Sequence, residues 1–313
     1  MPKVRVSEKP VLIGDFDEVR VSSMGAITEI VASRSRSSGP PVVKVDKDHF
    51  IDLRTGEFLE YDHIETRADS LASIRTTLAR IRGLINTNVT NPENCRWITF
   101  TYAENMTDRE RLYQDFRRFW QRFLYYCEKH GIAKPEYLTI QEPQGRGAWH
   151  VHAFFIWSEK APFIPNSDIA VLWRQGFTKT KAVKDVDNIG AYFSAYLGDM
   201  PLDELMALPE ADRIRASAGG PSVIEEKEFE DAKGFLKKKK FVKGGRLFMY
   251  PPGMNIVRKS KGIKEPIVEY MLYSEARKKV SAATETFSRT YEILDDAGAV
   301  VNTISKIYYN DRR

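Results

Sequence analysis

Glu142, His150 and His152 are the residues whose types and spacing can do chemistry. Successive side chains on a strand point to opposite faces, so imidazoles at i and i+2 share a face and can converge on one ion. Glu142 stands near the end of the preceding strand-forming run, and a hairpin through Gly145 and Gly147 would carry its carboxylate beside them. Two neutral nitrogens and one anionic oxygen make a three-ligand set with open positions, which suits a catalytic metal that also takes a phosphate oxygen. A structural zinc site is normally closed by four protein ligands. The plain alternative makes both histidines hydrogen-bonded core residues of a strand shared with Val151, Ala153 and Phe155. For an isolated His-X-His pair that alternative is favoured.

Tyr192 and Tyr196, in GAYFSAYLG, lie four apart and so on one face of a helix. An ordinary tyrosine phenol has a pKa of about 10. Its attack on phosphorus therefore needs a metal to polarise the phosphate and a group to accept the proton. Taken alone, such a pair is more often packing than nucleophile.

The elements that must position these residues alternate as in an α+β domain. RWITFTY (96–102) is a predicted strand, and Thr107 with Glu110 reads as a capping box for a helix whose apolar face is Leu112, Phe116, Phe119, Phe123 and Cys127. That helix stops near Gly131. Strands follow at 137–142 and 149–157, then a short helix capped by Ser167 and ending at Gly176, a strand at 177–183 and a helix over 187–197 closed by Gly198. The order is strand, helix, strand, strand, helix, strand, helix, giving an antiparallel sheet with helices on one side. Upstream, SRSRSSGPP (33–41) reads as a linker, DLRTGEFLEY (52–61) as a hairpin, and 68–87 as an amphipathic helix. Downstream of Met200 the pattern weakens until a hairpin over 290–310, turning at Asp295 to Gly298.

With 313 residues the chain can hold one sizeable core plus appendages, and its net charge of +5 is gathered in tracts, which points to a polyanion. Lys237, Lys238, Lys239 and Lys240 form an unbroken run followed by Lys243, Arg246, Arg258, Lys259 and Lys261, with Phe248, Met249 and Tyr250 between. Such a tract is either a solvated loop or a groove where phosphates meet cations and bases stack on rings. The arginines of the 109–127 helix are read as its solvent face. Cys95 and Cys127 are too few for a disulfide framework or a thiolate zinc site, which fits a reducing cytoplasm. The N-terminal segment is polar, without a signal-peptide core, and no stretch approaches the roughly 20 apolar residues of a membrane span. No G-x-x-x-x-G-K-[ST], G-x-G-x-x-G or G-x-S-x-G element occurs, which argues against a fused helicase, a dinucleotide enzyme and common serine hydrolases.

Phe100 to Tyr102 (FTY), Glu142, His150-Val151-His152, then Tyr192 and Tyr196 resemble the ordered motifs of HUH rolling-circle replication initiators. Within that superfamily the chain is most similar to the replication-associated proteins of filamentous phages, bacterial plasmids and integrative elements. The likeness spans about 96–198, and YLTIQEPQGRGAWHVHAFF is its most specific stretch. It implies an HUH nuclease domain with a central antiparallel sheet, RRM-like or ferredoxin-like, flanked by helices. His150, His152 and Glu142 would bind Mg2+ or Mn2+, Tyr192 would attack the scissile phosphate to leave a 5′-phosphotyrosine, and Tyr196 would serve a second cleavage. The family's usual Tyr-x-x-Lys is not kept: Ala195 stands where the lysine would, and Lys179, Lys181 or Lys184 are candidates to replace it.

The implied partners are single-stranded DNA, an origin hairpin, and a host helicase and polymerase in a bacterial cytoplasm, with no membrane. Lys179, Lys181, the lysines at 237–240, Lys243 and Arg246 are the expected nucleic-acid contacts. The expected organisation is an N-terminal extension (1–66), the nuclease core with its preceding helix (67–200) and a basic C-terminal region partly packed on the core (201–313). A relaxase or single-strand transposase shares the same chemistry. Two other classes stay open: a basic DNA-binding regulator, which cleaves nothing, and an unrelated His2Glu metallohydrolase, which forms no covalent adduct.

Overall fold

A computed structural model describes residues 3–7, 11–35, 42–46, 48–53, 55–60, 71–144, 147–183, 188–218, 224–230, 236–242, 244–251, 254–295 and 297–312, with backbone alone at 3–4, 71–75, 194–197, 217–218, 225, 227–230 and 236–237. The expected linker at 33–41 therefore lies mostly outside the described residues. The chain begins with β1 (Lys3–Val6), β2 (Glu18–Met24), β3 (Ile27–Ser33), β4 (Val42–Lys44), β5 (His49–Asp52) and β6 (Phe58–Glu60). Helix α1 (Leu71–Asn88) leads into β7 (Cys95–Phe100), α2 (Arg109–Lys129), β8 (Glu136–Pro143), β9 (Trp149–Ile156), α3 (Asn166–Trp173), β10 (Thr178–Ala182) and α4 (Ile189–Gly198). Next come β11 (Met200–Pro201), α5 (Leu202–Met206), α6 (Glu210–Ala218), β12 (Ile224–Glu230), β13 (Leu236–Val242) and β14 (Val257–Lys259). The chain closes with β15 (Ile267–Leu272), α7 (Tyr273–Lys279), β16 (Thr284–Leu294) and β17 (Val300–Asn310). From β7 to α4 the expected order is the observed one, and the fold is α+β with antiparallel sheets flanked by helices.

These elements form two units, one of residues Glu65–Glu265 and one built from Met1–Ile64 with Pro266–Arg313. The larger unit is organised on an antiparallel sheet in the order β10-β7-β9-β8-β14. Phe154 and Phe155 are adjacent on β9 and both fully buried, so both faces of the sheet are covered. On one face, Phe119 and Phe123 of α2 and Trp173 of α3 pack against Phe100 and Phe155. On the other, Phe193 of α4 packs on Trp97 and Phe154. Helices on one side only was thus an under-reading; the paired phenylalanines require cover on both.

Two helix starts also differ from the sequence reading. Asp108, not Thr107, caps α2, its carboxylate accepting from the N–H groups of Glu110 (2.8 Å) and Arg111 (3.1 Å). Ser167 lies inside the first turn of α3, which ends at Arg174 in a left-handed conformation with φ 66°. An aspartate one residue later offers the stronger acceptor, so the cap moves by one position.

The smaller unit is a six-stranded antiparallel sheet in the order β1-β16-β17-β3-β2-β15, with α7 over a core of Val19, Val21, Ile30, Ala276 and Val280. The hairpin of β16 and β17 is the one expected at 290–310. Strand β17 pairs with β3, setting Ile307 against Ile30, so the two ends of the chain share one sheet. The division at Ile64/Glu65 lies beside the boundary expected at 66, whereas the larger unit runs past 200 to Glu265 and the two flanks join, because pairing between chain ends leaves no local periodicity to read.

Burial pushes the Cys95 thiol up to about 12 and the Cys127 thiol to about 11. Both belong to the core of the larger unit. At pH 8 an alkylating reagent should label neither cysteine in the folded chain and both in denaturant, with mass spectrometry as the readout; rapid labelling of the native chain would contradict this packing.

Candidate metal centre and tyrosine helix

Antiparallel pairing of β8 with β9 sets Glu142 opposite His150, and pairing of β7 with β9 sets Thr99 opposite His152. Residues directly opposite share a face, so the carboxylate and both imidazoles project from one side of the sheet. One ligand atom from each of the three lies within 4.8 Å of the other two. The Glu142 carboxylate contacts Nε2 of His152 directly. The rings are held from behind: Nδ1 of His152 lies 3.1 Å from the Thr99 hydroxyl and Nδ1 of His150 lies 3.0 Å from the Gln144 amide. Thr99 and Gln144 thereby fix the orientation of the two rings, and Nε2 of His152 is the nitrogen turned toward Glu142. Trp97 stacks on the His152 ring at 5.0 Å and 9°. Two imidazoles and a carboxylate oriented in this way can hold a metal ion.

Arg246 is the residue of this site whose place the sequence did not reveal. It was expected as a nucleic-acid contact in the basic tract, yet it is only 8% exposed. Its guanidinium donates to Glu142 Oε1 (2.5 Å), to the Pro143 carbonyl (3.2 Å) and to Glu204 Oε2 (2.6 Å). Burial by itself would push the Glu142 carboxyl up, but Arg246 and His152 outweigh it and bring the pKa down to about 2. Burial likewise opposes the charge on Arg246, and Glu142 with Glu204 outweighs it and holds its pKa above the ordinary guanidinium value. Glu142 is thus ionised throughout the physiological range. No sequence signal links Arg246 to Glu142, which stands 104 positions away.

Helix α4 carries Tyr192 in its first turn, and the sequence fits it tightly onto α1. The Asn188 side chain caps the helix by accepting from Ala191 N (2.8 Å), and it accepts in turn from the Asn86 amide (2.9 Å). The Asn86 side-chain Oδ1 accepts from Gly190 N at 2.7 Å. A Cβ on Gly190 would lie 2.5 Å from the Arg82 carbonyl oxygen, so glycine is what lets the helices approach. Ring contacts then run from Tyr192 to Phe193 (5.1 Å), from Phe193 to Trp97 (4.5 Å) and from Trp97 to His152. Tyr192 itself is 40% exposed. The side chain of Tyr196 lies outside the described residues.

The expected basic contacts separate into two groups. Lys179 and Lys181 stand on β10 opposite Thr99 and Trp97, which puts them on the sheet face of the histidines. The lysine run forms β13, paired in register with the acidic strand β12, Lys240 against Glu226 and Lys238 against Glu228. Lys239 makes an ion pair with Asp203 at 2.8 Å. The side chain of Lys237 and the whole of Lys184 and Lys243 lie outside the described residues. The interleaved rings are not a stacking surface: Tyr250 is fully buried and donates to the Gln141 carbonyl (3.0 Å), while Phe248 and Met249 pack against Met200 and Leu205.

The family model described as Replication-associated protein ORF2/G2P matches residues 95–200. That span includes Glu142, His150, His152, Tyr192 and Tyr196, and the match supports a Rep-like replication protein. No curated protein and no solved structure matches the chain. Among the described residues no helix is long and apolar enough to cross a membrane.

Gly190→Ala should lower stability by about 1–3 kcal/mol through overpacking of α4 on α1, measured by denaturant unfolding. An unchanged midpoint would mean that the close approach at Arg82 is not a constraint on the helix.

Proposed function

We propose that the chain is a rolling-circle replication initiator of the HUH endonuclease type, which nicks single-stranded origin DNA and later rejoins it. The observation that carries this reading is the convergence of Glu142, His150 and His152 within 4.8 Å inside the stretch matched by the replication-associated family. The nearby helix brings Tyr192, exposed and linked by ring contacts to His152.

A Mg2+ or Mn2+ ion held by these three residues would act as a Lewis acid on a phosphate oxygen. Tyr192 attacks the phosphorus through its phenol oxygen. The new bond is phenol oxygen to phosphorus; the bond that breaks joins phosphorus to the 3′ oxygen, and the phenolic proton ends on that oxygen by way of solvent. The products are a 5′-phosphotyrosine and a free 3′-hydroxyl, which a host polymerase extends. Each transfer exchanges one phosphate ester for another, so rejoining needs no ATP. Tyr196 serves the second cleavage, Lys179 and Lys181 bind backbone phosphates on the face of the site, and a host helicase opens the duplex in the bacterial cytoplasm.

The test is cleavage of an end-labelled single-stranded oligonucleotide library with Mn2+, resolved on a denaturing gel. Cleavage should vanish with EDTA, and joint His150→Ala and His152→Ala substitution should reduce it by roughly 100-fold or more while oligonucleotide binding by anisotropy persists. Full nicking by that double variant would overturn the metal centre. Binding without any cleavage would favour a DNA-binding regulator.

A further inference from the structure

Arg246 joins the C-terminal end of α4 to Glu142, a second link beside the ring contacts of Phe193 and Trp97. Its own N–H donates to the carbonyl of Gly198 (3.0 Å), the last residue of α4, and the N–H of Gly244 donates to the Asp199 carboxylate (2.9 Å). The turn is seated closely, since a Cβ on Gly245 would stand 2.9 Å from the Met200 Cβ. From that fixed backbone the guanidinium reaches the third residue of the candidate metal set, Glu142, and is backed by Glu204 in the first turn of α5. One residue therefore ties the C-terminal end of the tyrosine helix to the carboxylate beside His152.

The charges of this group also matter. With neutral histidines, Glu142 and Glu204 carry two negative charges against the one positive charge on Arg246, so a single guanidinium is shared between two carboxylates. Arginine suits the task because its planar fork can engage two carboxylates at once, which a lysine ammonium does without that fixed geometry.

We propose that Arg246 is a positioning residue for the metal: with Glu204 as its anchor, it fixes Glu142 as the third ligand and registers that ligand against the helix carrying Tyr192. The inference rests on the metal-centre reading above. It assigns Arg246 to the interior of the site, and it adds Glu204 to the residues on which metal affinity depends.

The experiment is Mn2+ titration calorimetry on the full chain without DNA, with thermal melting of each variant alongside. Arg246→Gln and Glu204→Gln should each weaken Mn2+ binding by roughly 10–100-fold, while His150→Ala abolishes it. Their combination should cost no more than the worse single change, because the two act as one unit. Unchanged affinity in both variants, with His150→Ala still deleterious, would overturn the inference alone. Tighter binding by Arg246→Gln would also overturn it, by showing that the guanidinium competes with the ion. If Arg246→Gln does not fold, Glu204→Gln decides by itself. Failure of the unaltered chain to bind Mn2+ would overturn the metal reading and this inference with it.

Discussion

The register of β8 against β9 is the constraint on which the rest of the site depends. Glu142 faces His150 across one ladder and Thr99 faces His152 across the next. A slip of one residue would turn both imidazoles into the opposite face and leave Glu142 without them. Tryptophans hold the strand at both of its ends. The Trp149 indole donates to the Thr107 carbonyl (2.9 Å) and the Trp157 indole to the Ala133 carbonyl (2.7 Å). The large apolar bodies of these residues bury into the core while their N–H groups tie β9 to fixed backbone points.

The two faces of the sheet divide the work. The face under α2 and α3 is packed with aromatic side chains and supplies the apolar burial that holds the sheet together. The other face carries the imidazoles, the carboxylate and Trp97, with α4 packed beside them through Phe193. A carboxylate in so enclosed a place needs a compensating cation, or it would take up a proton. Arg246 is that cation, and its own burial is offset by Glu204 and Glu142.

Much of this was legible in the sequence. The period-two run WHVHAFF and the helical face of Leu112 to Cys127 each act over a few residues, and each element formed where local pattern placed it. The same holds for the spacing of His150 and His152, since the geometry of one strand decides it. The unread features depend on contacts distant in sequence. The partner of Glu142 comes from a turn in the basic tract, and the lysine run pairs in register with an acidic strand that composition alone does not join to it. The joining of the chain's two ends in one sheet is of the same kind. Such features are set by packing, and a basic tract looks alike in sequence whether its arginine is buried or exposed.

The proposed nicking reaction turns on a covalent bond between DNA and one phenol. The direct measurement is tryptic mass spectrometry of the chain after incubation with single-stranded oligonucleotides and Mn2+, reading which peptide gains a nucleotide mass. The expected result is a 5′-phosphodiester adduct on Tyr192, absent when EDTA is present. Cleaved DNA with no adduct on any tyrosine would contradict it and assign Glu142, His150 and His152 to a hydrolase that uses water.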